Sequence, residues 1–154
     1  MELSLDRDFS SNLPEGLRLR EMDQIADRDA LAWLLWQGFD HGEDREAFER
    51  SEDHVPHVRM HFNKTLCLCA ADSSGEPVSH CSLWVHKDTD YAYVEPVCTI
   101  PKYRGRGIAN ALLSEAFSRA KALGAKTAYV ISDLPFYEKL GFTKAHRYTF
   151  YRKP

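Results

Sequence analysis

The segment TIPKYRGRGIAN, residues 99–110, joins an apolar strand-like run to an amphipathic helix-like run through a loop rich in glycine and arginine. The first backbone N–H groups of a helix have no acceptor within it, and the helix dipole adds partial positive charge at the same end. Glycines let the backbone of such a loop approach a ligand closely, and the neighbouring arginines add charge. The segment therefore predicts an anion site at the start of a helix.

The regions on either side of this loop predict a strand–helix–strand unit. Residues 91–100 and 125–131 are strand-like apolar runs, and between them apolar residues recur every fourth position at Ile108, Leu112, Ala116 and Ala120. Because a crossover helix joins parallel strands, we expect these two strands to be parallel. The helix should pack on their sheet.

The remaining elements are predicted from periodicity and turn residues. We expect a strand over 16–20, a helix from Asp23 to about Gln37, a second helix over 45–60 interrupted near Pro56, an antiparallel hairpin of 65–71 with 77–86, a short helix over 134–140 and a last strand over 142–152. Residues 1–15 are polar and aperiodic, which predicts a tail or an arm lying on one domain of residues 16–154.

Proline interrupts the strand predicted at residues 91–100. Pro96 lacks the N–H that a central strand needs, so the strand has a β-bulge there or lies at a sheet edge. We favour the bulge, because a strand that leads into a crossover helix is usually internal. A bulge would bend the strand away from its neighbour.

Composition limits the classes of function. The 154 residues suit one domain, and a formal net charge of −3 gives no reason to expect nucleic-acid binding. No apolar run is long enough to cross a bilayer, and the first residues lack the basic start and apolar core of a leader. We therefore expect a cytoplasmic protein with no membrane partner.

The cysteines and histidines offer weak metal signals. Cys67, Cys69, Cys81 and Cys98 lie in strand-like runs without CxxC spacing, which favours buried free thiols. His54, His57 and His61 could share a metal on one side of a helix, although no acidic or cysteine partner has matching spacing.

Two motifs resemble those of one protein family. The run Arg104-Gly105-Arg106-Gly107-Ile108-Ala109 resembles the Arg/Gln-x-x-Gly-x-Gly/Ala pyrophosphate motif of the GNAT superfamily of acetyl-CoA-dependent N-acetyltransferases. The run from Phe136 to Phe142 resembles the family's second hallmark, a tyrosine on the short helix after the parallel strand. The resemblance covers about residues 16–152 and implies a single-domain α/β GNAT fold: a mixed twisted sheet with flanking helices, in which strands 91–100 and 125–131 splay apart.

The resemblance also implies an acetyl-CoA site without a metal. The backbone of Val97, Cys98 and Thr99 would pair with the pantetheine arm, and an N–H near Val97 would polarise the thioester carbonyl. The pyrophosphate would lie on the loop, held by Arg104, Gly105, Arg106, Gly107, Ile108, Ala109 and Asn110. Ser132 would contact the coenzyme where the family usually has asparagine.

Catalytic roles follow from the same resemblance and from the chemistry of amines. Tyr137 is the candidate acid for the leaving thiolate, and Glu95, beside the predicted bulge, is the first candidate for the base that deprotonates the amine. His80 and His86 are alternatives, although a structural or solvent-facing role suits each better. Aromatic and acidic residues would suit a cationic acceptor; the candidates are Trp33, Trp36, Phe39, Asp40, Glu43, Trp84, Tyr91 and Tyr93.

The function implied is direct acetyl transfer from acetyl-CoA to a primary amine of a small molecule. Two other functions stay open: a non-catalytic acyl-CoA sensor, and acetylation of a protein or peptide amine. Cys98 lies close enough to the expected coenzyme slot to keep a covalent route open. Edge strands near the C-terminus also leave a homodimer open.

Overall fold

The computed structural model describes residues 1–23, 25–51, 63–147, 149 and 151. They form a six-stranded mixed sheet in the order β1-β6-β5-β4-β3-β2. The strands are β1 (Glu2–Ser4), β2 (Arg18–Glu21), β3 (Cys67–Ala71), β4 (Pro77–Val85), β5 (Tyr91–Thr99) and β6 (Thr127–Tyr129). The helices are α1 (Arg28–Gly38), α2 (Arg45–Arg50), α3 (Ile108–Ala122) and α4 (Pro135–Lys139). β5 and β6 are parallel, as predicted, and every other neighbouring pair is antiparallel.

Side-chain alternation along β3 gives the sheet two buried faces. Leu68 and Ala70 belong to a large apolar cluster that includes the buried side of α3. Cys67 and Cys69 belong to a second cluster with residues of α1. Because successive side chains of a strand point to opposite faces, α1 and α3 cover opposite faces of the sheet.

The bulge predicted at Pro96 is present. Cys81 of β4 pairs with Val97 of β5, whereas the next pair joins Leu83 to Val94, so β5 has one residue more than β4 between these pairs. On its other side, β5 pairs with β6 only from Tyr91 to Tyr93. Past the bulge, β5 therefore runs on to Thr99 without β6 beside it. The expected splay between the two parallel strands is confirmed.

The N-terminal segment differs from the tail or arm expected for residues 1–15. Its first residues form β1, which pairs with β6, and Leu3 and Leu5 are buried in the main core. Residues farther along do lie on the domain as an arm: the Phe9 ring packs 5.2 Å from that of Phe117 in α3, centroid to centroid. A strand of this length has too few residues for alternation to reveal it.

Other predicted bounds need correction. The strand expected over 142–152 is reduced to an isolated bridge between Glu2 and Thr143, and the described residues after Thr143 form no strand. The N-terminal helix begins at Arg28, because Asp23 accepts hydrogen bonds from the N–H groups of Ile25 and Ala26 in a separate turn. Of the second helix expected over 45–60, the described part is α2, and residues 52–62 lie outside the described range.

Three smaller expectations concern metals, thiols and membranes. All four cysteines are free and buried, as predicted. Within the described residues no group of His, Cys, Asp and Glu is placed to hold a metal ion, and His54, His57 and His61 lie outside them. No helix in the described part of the chain has the length and apolarity that spanning a membrane requires.

Candidate active site

The loop before α3 has the backbone geometry of an anion site. Gly105 and Gly107 have φ values of +72° and +78°, a left-handed region that residues with a Cβ seldom adopt. The first hydrogen bond of α3 runs from the Ala111 N–H to the Gly107 carbonyl at 3.1 Å. The N–H groups of residues 108–110 precede that bond and lie outside the helical ladder. A Cβ built on either glycine meets no atom within 4 Å, so both face open space.

A cavity of about 530 Å³ extends from this loop to the end of β5. It brings together the residues predicted to bind the coenzyme, with one exception: Val97, Cys98, Thr99, Arg104, Gly105, Arg106, Gly107, Ile108, Ala109 and Asn110 all line it. The exception is Ser132, whose hydroxyl accepts a hydrogen bond from the Leu134 N–H at 3.2 Å. Tyr103 and Phe136 also line it, although the sequence did not predict either as a site residue.

A second cavity, of about 720 Å³, lies on the other side of the bulge. Trp36, Phe39, Tyr93 and Glu95 line it, as the acceptor hypothesis requires. Its walls are mostly apolar, with Glu95 as the carboxylate among the described lining residues. The wall also includes His41, which sequence reasoning missed even though it follows Phe39 closely in an acidic turn.

The two cavities share four lining residues: Phe39, Val97, Leu134 and Tyr137. They come from the end of α1, from β5 just past the bulge, and from α4 with the residue before it. Because both cavities reach the same four side chains, a molecule in one would meet a molecule in the other there. The junction lies where β5 has left β6, so the splay creates it.

Tyr137 is buried at this junction, with 7% of its surface exposed. Its ring packs edge-on against those of Phe136 and Phe142, at centroid distances of 5.1 and 5.6 Å. Burial among these rings raises the pKa of the phenol to about 12. The hydroxyl therefore stays protonated at neutral pH and can donate a proton.

The candidate bases occupy different environments. Glu95 is half-buried at the bulge, where its main-chain carbonyl accepts a hydrogen bond from the Trp84 indole N–H at 2.8 Å. His80 is fully buried in the sheet, with Nδ1 3.0 Å from the Leu68 carbonyl oxygen, and burial lowers its pKa to about 4. His86 is exposed in the β4–β5 turn, where its Nδ1 lies 3.6 Å from Oδ2 of Asp88. Neither histidine lines either cavity.

The structure does not bring all the acceptor candidates together. Trp33, Asp40, Glu43, Trp84 and Tyr91 do not line the second cavity. Trp33 packs against the Phe48 ring, Asp40 pairs with Arg104, and Tyr91 packs edge-on against Tyr129. Their residue types suited a cation, but Trp33, Asp40 and Tyr91 have these other partners instead.

The thiol of Cys98 is buried against α1. Its Sγ lies 4.0 Å from the Leu34 carbonyl oxygen of α1, and a Cβ built on Gly38 would lie 2.6 Å from that sulfur. Burial raises the pKa of this thiol to about 12. A neutral thiol packed against a helix is a poor nucleophile, which disfavours the covalent route.

The site thus combines a loop suited to an anion at the start of α3, a parallel strand pair that separates past the bulge, and two cavities that meet beside Tyr137. The model of the acetyltransferase (GNAT) family matches residues 28–142. The chain belongs to this family.

One curated relative is similar to this chain in sequence, and solved structures are similar to it in fold. The chain is 30% identical over 88 residues to the uncharacterized N-acetyltransferase CgeE of Bacillus subtilis (strain 168), a match that covers 53% of this chain and 34% of that protein. The fold is similar to that of a GCN5-related N-acetyltransferase from Sphaerobacter thermophilus, with a TM-score of 0.68 and 23% identity over 91% of this chain and 45% of that one. A GNAT acetyltransferase from Brucella melitensis, solved in complex with acetyl-CoA, gives a TM-score of 0.60 and 18% identity over 83% of each chain. The chain thus spans about a third of the curated relative it matches.

Proposed function

We propose that the protein transfers an acetyl group from acetyl-CoA directly to a primary amine of a small molecule. The observation that carries this proposal is the junction of the two cavities at Phe39, Val97, Leu134 and Tyr137. Transfer without a carrier requires both substrates to meet, because holding two reactants in contact removes most of the entropic cost of their encounter.

The coenzyme fits the first cavity by its chemistry. The loop offers N–H groups outside the α3 ladder and two left-handed glycines that face open space, which suits a pyrophosphate. Beyond the bulge, β5 runs from Val97 to Thr99 with β4 on one side and no β6 strand on the other. The edge of β5 that β6 leaves uncovered suits the amides of a pantetheine arm, which would bind as an added strand. Acetyl-CoA would supply an acetyl group activated as a thioester.

Three groups of the chain would then carry the transfer. Glu95, directly or through a water molecule, takes a proton from the acceptor ammonium, so that nitrogen has a lone pair for attack. A main-chain N–H near Val97 donates to the thioester carbonyl oxygen, where negative charge develops. Tyr137, a neutral phenol, gives its proton to the departing sulfur, and the second proton that nitrogen loses as the amide forms restores the phenol.

The second cavity favours a small acceptor over a protein chain. Aromatic side chains of Trp36, Phe39 and Tyr93 line this cavity, whose volume of about 720 Å³ is within the range usual for small-molecule sites. A carboxylate beside aromatic rings suits an organic cation.

The first test measures thiol release from acetyl-CoA with a panel of small amines and short peptides. We expect amine-dependent release that falls by about a hundredfold or more in Tyr137→Phe, the usual loss when a general acid is removed. Tyr91→Phe is the matched control, because Tyr91 is exposed and lines neither cavity. It should behave as wild type.

Three results would contradict the proposal, each in a different way. Tight binding of acetyl-CoA without turnover on any acceptor would favour the acyl-CoA sensor. Turnover on peptides alone would favour a protein or peptide acetyltransferase. Absence of acetyl-CoA binding would remove the basis of the coenzyme site itself.

A further inference from the structure

We infer that Arg104 is a positioning residue that ties the coenzyme loop to the end of α1, and that Arg106 is the arginine available to the pyrophosphate. The resemblance assigns both arginines to the pyrophosphate, but their contacts differ. The inference rests on the proposed function for what the loop binds, and on the structure alone for what Arg104 holds.

Each nitrogen of the Arg104 side chain has a partner in the protein. Nη2 donates to the Gly38 carbonyl at 2.8 Å, and Nε donates to the Thr99 carbonyl at 2.9 Å. Nη1 forms an ion pair with Asp40, 2.9 Å from Oδ1 and 3.1 Å from Oδ2. A guanidinium is a rigid planar fork, so it cannot turn to a phosphate without breaking several of these bonds together.

These contacts fasten the C-terminus of α1. Gly38 is the last residue of the helix, and a cation near the last carbonyls stabilises a helix end. Asp40 has a φ of +64°, which few residues other than glycine adopt, and its carboxylate holds Arg104 from that turn. The main-chain N–H groups of Phe39, Asp40 and His41 donate to carbonyls of α1, which completes the cap.

The turn that follows α1, residues 39–41, contributes lining residues to both cavities. Phe39 stands between the two Arg104 contacts at Gly38 and Asp40 and lines both cavities, and His41 lines the second. Arg104 therefore joins the loop that would bind the coenzyme to the wall that would receive the amine. Loss of the Arg104 contacts should make residues 39–41 more mobile, while the main-chain groups of the anion site stay in place.

Arg106 is held in a different way. Its guanidinium lies over the Tyr103 ring, 5.2 Å from the centroid. Its side chain is exposed and lines the first cavity. In the part of the chain that the structure describes, no carboxylate pairs with it. A guanidinium stacked on a ring keeps its N–H edge available to an anion.

The test compares Arg104→Gln and Asp40→Asn with the matched control Arg106→Gln. Amide hydrogen exchange at residues 39–41 in the unliganded protein should rise about tenfold in the first two variants, the effect of losing charge-assisted hydrogen bonds, and stay unchanged in the control. Affinity for coenzyme A, measured by calorimetry, should fall about tenfold in Arg106→Gln and less than about threefold in the other two. If the amine is acetylated, Arg104→Gln and Asp40→Asn should raise KM for the amine and leave KM for acetyl-CoA near the wild-type value.

Two results would overturn the inference. One is a loss of coenzyme A affinity in Arg104→Gln as large as that in Arg106→Gln. The other is unchanged exchange at residues 39–41 in both Arg104→Gln and Asp40→Asn. Because exchange is measured without ligand, it tests the tie even if the wild-type protein fails to bind coenzyme A, a result that would reject the proposed function separately.

Discussion

Buried titratable side chains give this protein a dependence on pH that its net charge does not suggest. His80, Cys98 and Tyr137 are all buried, and burial shifts the pKa of each toward its neutral form. Each neutral form suits its surroundings. The His80 ring is buried in the sheet, the Cys98 thiol packs against α1, and the Tyr137 phenol retains its proton.

His80 should make the fold sensitive to mild acid. Its pKa is about 4 in the folded chain and 6.5 when unperturbed, so the unfolded state binds the proton first as pH falls. The contribution of neutral His80 to the free energy of unfolding is fully present above pH 6.5 and is lost toward pH 4, by up to about 3 kcal/mol. Urea unfolding of wild type and His80→Gln at several pH values measures this loss.

The variant should lack this part of the pH dependence, whereas His86→Gln, at an exposed site, should retain it. An NMR titration that places the His80 pKa near 6.5 in the folded wild type would contradict the prediction without any variant.

Cys98 should resist alkylation. With a pKa of about 12 and 5% of its surface exposed, its thiol supplies almost no thiolate at pH 8. Mass spectrometry after iodoacetamide treatment should find Cys98 unmodified in the folded protein and modified after urea unfolding. Labelling of folded Cys98 within minutes would revive the covalent route.

The loop before α3 is the element on which the proposed coenzyme binding depends. A substitution that adds a Cβ at Gly107 meets no neighbouring atom, so any effect comes from the backbone, which would move away from φ +78°. That movement would turn the first N–H groups of α3 away from the anion.

Gly107→Ala should therefore weaken coenzyme A binding by about tenfold, as expected when charge-assisted hydrogen bonds are lost. Gly75→Ala is the matched control, since Gly75 has a φ of +91° and lies in the β3–β4 turn, also with nothing within 4 Å. Both changes should cost about 1 kcal/mol of stability, but only the first should alter calorimetric affinity. Equal affinities would show that the loop backbone does not carry the site.

The fold as a whole depends on its N-terminal strand more than the composition of that segment suggests. β1 extends the sheet beyond β6, and the Met1 amino group donates to the Val130 carbonyl at 2.7 Å. Leu5, just past β1, is fully buried in the main core. The first residues are therefore part of the same folded domain as the loop before α3.

Leu5→Ala should lower the free energy of unfolding by about 2–5 kcal/mol, the usual cost of a cavity at a buried leucine. Leu123→Ala is the control, because Leu123 is 54% exposed at the end of α3 and should lose less than about 0.5 kcal/mol. Chemical denaturation measures both. A Leu5→Ala effect as small as that of the control would contradict the burial of Leu5 and favour the tail expected from the sequence.

Local chemistry made much of this architecture predictable. Three features were recognisable from the sequence: the glycines of the loop, the apolar residue at every fourth position of α3, and the proline in β5. Each acts through its own backbone or helix face, so it could be recognised without knowing its neighbours in space. They lead to the anion loop, the parallel crossover and the bulge. Tyr137 was identified by its resemblance to a family motif, which also depends on a short run of residues.

The three-dimensional packing decided the rest, because it depends on contacts between distant residues. Leu5 becomes core only when β1 reaches β6, and Arg104 becomes a tie only when the end of α1 is brought against β5. Trp36, Phe39 and Tyr93 line the second cavity while Trp33, Trp84 and Tyr91 do not, and residue type cannot separate the two groups. Which side chains converge is set by the paths of strands that pair across the whole chain, and no local pattern records those paths.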